Sequence, residues 1–138
     1  RLQKMEASNK AFLEKYPDAA KVYPYSRNSI TSEAVQVHSV DGGLPEFFYE
    51  AGKLSGMAAI TGIIGSITGS GNNTGFYLKP GTTTVEISYY HNRPGIMYKN
   101  VTTTTDAVKK ELQVEPNKKY RLGFDRQAET FSLEESAD

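Results

Sequence analysis

The clearest pattern along the chain is an alternation of apolar and polar positions that follows a turn signal near its middle. Val85, Ile87 and Tyr89 alternate with threonine, glutamate and serine, and a period of two places them on one face of a β-strand. The preceding Pro80-Gly81 suits a type II turn, because proline pre-sets the first φ and glycine accepts the positive φ of the second. The stretch therefore predicts an extended segment, a turn and a half-buried strand.

Shorter alternating segments predict further strands on both sides of this one. They cover residues 22–25, 34–40, 44–49, 98–105, 110–115, 120–124 and 131–133. Because Pro24 lacks an N–H group, the first is predicted to be an edge strand or to contain a break. Asp41-Gly42-Gly43 predicts a hairpin turn between the second and third. Residues 106–112 fit either a turn leading into a strand or a short helix, and the acidic residues 134–138 are predicted to fray.

Close spacing of short strands, with turn residues between them, is typical of an all-β domain. The predicted fold class is mainly β: an antiparallel β-sandwich of about 7–8 strands, with a small barrel as the alternative. No repeat or linker divides the chain, so residues 1–138 are predicted to form a single domain.

The first residues have the spacing of a helix rather than of a strand. Over residues 2–16, Met5, Phe12 and Tyr16 fall near one stripe, and charged residues lie largely elsewhere. Pro17 ends the segment, since the residue before a proline avoids the α region. We interpret it as a short helix packed on the domain or as a tether leading into it, with a partner-binding helix as the alternative.

An uncharged, glycine-rich insert interrupts the strand pattern at residues 54–75. Its glycine spacing is of the kind that lets helices approach closely in lipid, but its apolar part is shorter than the ~20 residues that a spanning helix needs. The interpretations are a loop or short helix packed on the sandwich, an element that contacts a membrane or partner, or disorder. The predicted contact residues are Ile60, Ile63, Ile64 and Ile67.

Composition narrows the functional classes. The 138 residues include 16 basic and 16 acidic residues and no cysteine. A balanced charge without a basic cluster predicts no nucleic-acid binding. The lack of cysteine excludes a disulfide framework and a thiolate site, and a chain of this length can bury a core without either.

Few side chains are placed to do chemistry. His38 is predicted on the solvent side of a strand, and neither histidine has metal-ligand spacing. No serine lies in a strand-to-helix elbow, so no catalytic residue, metal ligand or cofactor is predicted. Residues 89–94 are predicted to run from a strand end into a loop, and loops carry function more often than strands do. The predicted binding residues there are Tyr89, Tyr90, His91 and Arg93.

The tyrosines offer a second kind of site. Amphipathic rings on strands could stack on sugars, although such rings more often line the rim of a core with the hydroxyl in water. The tyrosines in question are Tyr23, Tyr25, Tyr49, Tyr89, Tyr90 and Tyr98.

Several segments together resemble a group of bacterial envelope lipoproteins of unknown function with PEGA-like β-sandwich modules. They are KVYPYSR at residues 21–27, Asp41-Gly42, LKPG at residues 78–81 leading into VEISY at residues 85–89, and VEPNKKYRL at residues 114–122. The resemblance implies a domain in the periplasm or on the outer membrane, held by a lipid on a cysteine upstream of Arg1. It implies no catalytic residues.

These observations lead to one functional expectation and one alternative. The expected function is a non-enzymatic cell-envelope domain with a binding or structural role, whose partner is an envelope protein, a glycan or a lipid. The alternative is a cell-wall-acting hydrolase or an inhibitor of such an enzyme.

Overall fold

The computed structural model describes residues 2–28, 31–50, 74–94 and 100–136. These residues form one helix and ten strands. The elements are α1 (Leu2–Lys15), β1 (Ala20–Pro24), β2 (Ser26–Asn28), β3 (Ser32–Val40), β4 (Glu46–Tyr49), β5 (Thr74–Leu78), β6 (Gly81–Pro94), β7 (Asn100–Thr104), β8 (Val108–Val114), β9 (Lys119–Asp125) and β10 (Thr130–Glu135).

The strands form the two sheets of a β-sandwich. Sheet I has the order β10-β9-β1-β5-β4, and sheet II has the order β2-β3-β6-β7, with β8 also paired to β6. The first half of β6 pairs with β8 and its last five residues pair with β7. The predicted antiparallel pairing holds for the other named strand pairs of the described residues, but β1 pairs with β9 in parallel.

The core lies between the sheets and comes from the alternation seen in the sequence. Val85 and Ile87 of β6 are fully buried, as are Leu112 of β8 and Leu122 of β9. Successive side chains of a strand point to opposite faces, so core residues alternate along strands such as β1, β8 and β9. Burial of this apolar surface drives the two sheets together. The prediction of a mainly β sandwich is confirmed.

The chain crosses from sheet I to sheet II at Tyr25. The amide of Tyr25 donates to the carbonyl oxygen of Leu122 in sheet I, and its carbonyl accepts from the amide of Val35 in sheet II. The predicted break beside Pro24 is confirmed, but the predicted edge position is wrong, since β1 is the central strand of sheet I. Pro24 is tolerated there because it is the last residue of β1 and the described pairing with β5 ends two residues earlier, at Val22.

The predicted turn at Asp41-Gly42 is present, with φ values of 50° and 81°. The amide of Asp41 donates to the carbonyl oxygen of Thr84, and the amide of Thr84 donates to Asp41 Oδ1 at 3.0 Å. These bonds fasten the turn to β6. Val40 and Gly43 close the turn as an antiparallel bridge, with two hydrogen bonds of 2.9 Å. The predicted hairpin turn is therefore present, but β3 and β4 belong to different sheets and do not pair beyond it.

Helix α1 packs on the outer face of sheet I, as one interpretation of residues 2–16 predicted. Tyr77 alternates with the buried Phe76 and Leu78, which places its ring on the outer face, where it stacks on Phe12 at 5.9 Å. The side-chain amide of Asn9 donates to Glu46 Oε2 at 2.7 Å and to the carbonyl of Phe47 at 2.9 Å.

The acidic C-terminal residues are partly ordered. Glu134 and Glu135 continue β10 against β9, and Glu135 forms an ion pair with Lys118 at 2.9 Å. The prediction that residues 134–138 fray is therefore wrong for these two residues, because the ladder continues through them. Residues 137–138 lie outside the described residues.

Candidate binding site at the open end of the sandwich

Strand β6 extends through the region predicted to be a loop. Its register continues to Ser32↔Asn92 on β3 and to Pro94↔Asn100 on β7. Residues 89–94 are therefore strand, and the loop prediction is wrong. Beyond the point where its apolar alternation stops, β6 is flanked by β3 and β7, which supply hydrogen-bond partners for its backbone groups. The alternation alone could not show that the strand continues.

The predicted binding residues of β6 divide between its two faces. Tyr89, His91 and Arg93 continue the inward face of Val85 and Ile87 toward one end of the sandwich, whereas Tyr90 points to the opposite side. Tyr89 is only 3% exposed, and its ring lies nearly parallel to that of His91 at 6.4 Å. The four residues thus do not form one surface.

A carboxylate from β3 lies at this end of the sandwich. Glu33 pairs with His91 across the ladder, and its side chain is 14% exposed. Its Oε1 accepts a hydrogen bond from the hydroxyl of Tyr89 at 2.6 Å, and its Oε2 accepts from the hydroxyl of Tyr25 at 3.5 Å. Arg27 lies 4.0 Å from the same Oε2. We call these four residues, Glu33, Tyr89, Tyr25 and Arg27, the Glu33 cluster.

The surroundings of the two tyrosines raise the pKa of both hydroxyls. Burial and then the hydrogen bond to Glu33 raise the pKa of Tyr89 to about 12, with Arg126 acting in the opposite direction. Burial and the negative charge of Glu33 also raise the pKa of Tyr25, and Arg27 opposes this. Both hydroxyls therefore remain donors to the carboxylate at neutral pH.

Aromatic rings form the inner wall of the site. Tyr89 stacks on Phe124 with centroids 4.5 Å apart and an interplanar angle of 19°. Phe124 in turn contacts Phe131 of β10 at 4.7 Å. The rings link the ends of the two sheets, and this packing keeps the hydroxyl of Tyr89 in position beside Glu33.

A cleft of about 440 Å³ opens beside the cluster. We call it the Gly123 cleft. Its lining residues are Tyr25, Glu33, Gly123, Phe124, Asp125, Arg126, Gln127 and Ser132. Tyr25 is 40% exposed. The turn beside the cleft is held by Asp125, whose Oδ1 accepts from the amides of Gln127 and Ala128 at 2.9 and 3.2 Å.

A second polar cluster lies at the root of the insert. Glu50 accepts from Lys21 Nζ at 2.9 Å and from the hydroxyl of Tyr23 at 2.8 Å, and burial followed by the hydrogen bond to Glu50 raises the pKa of Tyr23. The ring of Phe48 lies against Tyr23 at 5.6 Å. Glu50 directly follows β4, which pairs with β5. Because β5 begins at Thr74, the last two residues of the predicted insert 54–75 are strand.

The four isoleucines predicted as contacts lie outside the described residues. They are Ile60, Ile63, Ile64 and Ile67, and Tyr98 of the predicted tyrosine platform lies outside as well. Of the platform's other members, Tyr25 and Tyr89 meet at Glu33, whereas Tyr23 faces outward from sheet I near Glu50.

A serine and a histidine meet on the outer face of sheet II. His38 Nε2 lies 2.7 Å from Ser88 Oγ, and the hydroxyl of Ser88 donates to Gln36 Oε1 at 3.3 Å. When the hydroxyl donates to Gln36, His38 must donate to it, which is the reverse of a general base. Ser88 is 2% exposed, so its oxygen is shielded from a substrate. His38 is exposed, as predicted from its position opposite the valines of β3.

The described residues contain neither a candidate metal site nor a membrane-spanning helix. No group of three or more histidine, aspartate or glutamate residues in that part of the chain is placed to hold a metal ion. The helix among those residues is too short and too polar to cross a membrane.

The sequence analysis missed Glu33 because the predicted strand began one residue after it, at position 34. Extending the inward set of Val35 and Val37 back by two residues reaches Glu33, and a charged residue at an inward position is the signal that was available. For Phe124, the alternation predicted only a position facing the core and not a place in the wall of the site. Its stacking on Tyr89 depends on two strands far apart in sequence.

Comparison of the chain with protein-family models, with curated proteins and with solved structures gives no significant match.

Proposed function

We propose that this chain is a non-enzymatic binding domain of the bacterial cell envelope, and that its ligand site is the Gly123 cleft with the adjacent Glu33 cluster. The observation that carries the proposal is the half-buried carboxylate of Glu33, which is oriented by Tyr89 at 2.6 Å and borders a cleft of about 440 Å³. Polar groups held in place before binding lose little entropy when a ligand arrives.

The site joins a rigid interior to an accessible surface. Tyr89 is buried and stacked on Phe124, so it positions Glu33 without itself being open to a ligand. Tyr25 and Arg126 line the open side of the cleft. A surface with an exposed ring, a carboxylate and a guanidinium favours a ligand that has both apolar faces and hydrogen-bonding groups.

The envelope location rests on the resemblance of residues 21–27, 78–89 and 114–122 to PEGA-like envelope lipoproteins. The proposal includes a lipid anchor on a cysteine upstream of Arg1, and a periplasmic or outer-membrane location. Labelling of the full-length gene product with a palmitate analogue, followed by fractionation, tests this part. Absence of label together with recovery outside the envelope would exclude the anchor.

Binding is tested by retention on envelope fractions. Isolated sacculi, outer-membrane vesicles and soluble envelope proteins immobilised on resin are each incubated with the wild-type chain and with Tyr25→Ala. Tyr49→Ala is the matched control, since Tyr49 is a similarly exposed tyrosine on β4, the edge strand of sheet I that lies farthest from β10. We expect retention on one fraction that Tyr25→Ala loses and Tyr49→Ala keeps. Equal retention of both variants, or no retention on any fraction, would overturn the proposed site.

A cell-wall hydrolase, or an inhibitor of one, is the second candidate, and the contact of His38 with Ser88 is the observation in its favour. Release of soluble fragments from sacculi by the wild-type chain, abolished in Ser88→Ala, would establish the hydrolase. Slower release by an added cell-wall hydrolase, restored by Tyr25→Ala, would instead establish an inhibitor. The burial of Ser88 favours the binding domain, because its oxygen is shielded from a substrate.

A further inference from the structure

We propose that the Gly123 cleft takes the ring of a neutral saccharide, which stacks on Tyr25 and lies across the backbone at Gly123. The inference rests on the proposed binding function and names the chemical class of its ligand. Three features of the cleft carry it: a floor without a side chain, an aromatic wall, and a rim of both donors and acceptors.

The floor is a gap in the surface of sheet I. Gly123 lies within β9 opposite Ser132 of β10. Because its neighbours Leu122 and Phe124 face the core, Gly123 lies on the side of the strand that faces away from the core. A Cβ built at Gly123 would meet only Ser132 Oγ, at 3.8 Å. Glycine weakens a strand, and nothing in the described packing requires it here. A close approach of a ligand to the backbone explains its presence.

The wall is the ring of Tyr25. It lines the cleft, is 40% exposed, and lies beside Glu33 through its hydroxyl at 3.5 Å. The backbone of Tyr25 is fixed by hydrogen bonds to both sheets, so the ring is presented from a rigid position. An amphipathic ring of this kind offers contact area at low entropic cost, and it suits the C–H face of a pyranose.

The rim determines the charge of the ligand. Glu33 and Asp125 disfavour an anion, and Arg126 disfavours a cation. Gln127 and Ser132 add neutral groups that both donate and accept. A ligand with many hydroxyl groups and no net charge satisfies all of these groups together. The volume of about 440 Å³ falls in the range of small-molecule sites.

The test is a nuclear magnetic resonance titration of the ¹⁵N-labelled chain. The probes are neutral oligomers of glucose, of mannose and of N-acetylglucosamine, each added to about 10 mM, where sites with millimolar dissociation constants saturate. We expect at least one series to shift the amide resonances of Gly123 and Ser132 in a saturable way.

Three variants and one control variant make the test specific. Gly123→Ala has room in the fold, because its Cβ makes only an ordinary contact with Ser132, and Gly123→Val fills the floor further. Both are expected to fold and to weaken binding, by tenfold or more for Gly123→Val. Tyr25→Ala should abolish the shifts, and Tyr49→Ala should retain them. Dispersed spectra confirm that each variant is folded.

The outcomes separate this inference from the proposed function. If none of the three oligomer series shifts Gly123, or if Gly123→Val binds like the wild type, the saccharide assignment is wrong. Retention on an envelope fraction that still depends on Tyr25 would then leave the proposed binding function standing with a different ligand. If retention on envelope fractions does not depend on Tyr25 either, both the saccharide assignment and the proposed binding function are wrong.

Discussion

The hydrogen bond between Tyr89 and Glu33 gives the sharpest test of how the candidate site is built. Tyr89→Phe removes the hydroxyl that lies 2.6 Å from Glu33 Oε1. The remaining partners of the carboxylate are weak, with the hydroxyl of Tyr25 at 3.5 Å and Arg27 at 4.0 Å. Because Tyr89 is 3% exposed, water cannot easily replace the lost donor.

The magnitude follows from these contacts. A hydrogen bond to a charged group contributes about 1.5–3 kcal/mol, so Tyr89→Phe is expected to lower the free energy of unfolding by that amount. Glu33→Gln keeps an acceptor oxygen and is expected to cost about 1 kcal/mol. The double variant should cost less than the sum of the two single variants, with a coupling of about 0.5–3 kcal/mol for residues in direct contact.

The assay is urea unfolding at pH 7, followed by circular dichroism. Tyr90→Phe is the matched control, since Tyr90 is the next residue, points to the other face and makes no hydrogen bond through its hydroxyl with the described residues. It should change the unfolding free energy by less than about 0.5 kcal/mol. Equal effects of Tyr89→Phe and Tyr90→Phe, or simple additivity in the double variant, would refute the reasoning.

The remaining predictions concern alkaline pH and the core. The pKa of Tyr89 is about 12 in the folded chain and 10.0 in the unfolded chain, so the unfolded chain loses this proton first as the pH rises. The free energy of unfolding should therefore be unaffected by Tyr89 below pH 10 and should fall between pH 10 and pH 12. The fall from this residue is at most about 1.4 kcal/mol per pH unit. Titrations of unfolding should show a smaller fall in Tyr89→Phe; an identical pH profile would contradict this. Gly75→Ala is expected to cost about 1–3 kcal/mol, because its Cβ would lie 2.6 Å from the carbonyl oxygen of Val22 and 2.7 Å from the ring of Phe48. Gly43→Ala, whose Cβ would meet only one atom at 3.7 Å, is the control, and equal midpoints in chemical denaturation would contradict the packing argument. Thr83→Val should raise the unfolding free energy by about 1 kcal/mol, since Thr83 Oγ1 is buried without a hydrogen-bond partner among the described residues; a lower melting temperature in calorimetry would show that this oxygen is satisfied.

Local pattern was sufficient to identify most of the strands. The alternation around Val85 and Ile87 predicted both the strand and its buried face, and the structure confirms them. The sequence also predicted the turn at Pro80-Gly81, where Gly81 has a positive φ of 109°. These features depend on side-chain period and on the φ values that each residue tolerates, both of which are properties of a few neighbouring residues.

Which strands pair with each other could not be predicted from local sequence patterns. Asp41-Gly42 predicted a hairpin, but β3 and β4 belong to different sheets. A turn determines only the direction of the chain after it. Which strands pair depends on which apolar faces can be buried against each other. The parallel pairing of β1 with β9 joins segments about 100 residues apart in the chain, and no short-range pattern encodes it.

The candidate site shows the same division. The inward positions of Val35, Val37, Val85 and Ile87 follow from the order of the residues alone, because the geometry of a strand fixes the alternation of its side chains. The position of Glu33 beside Tyr89 and the Gly123 cleft becomes apparent only in the folded chain. That arrangement depends on the register of β3 against β6 and on the stacking of Tyr89 on Phe124, and these contacts form only when the two sheets pack around one interior.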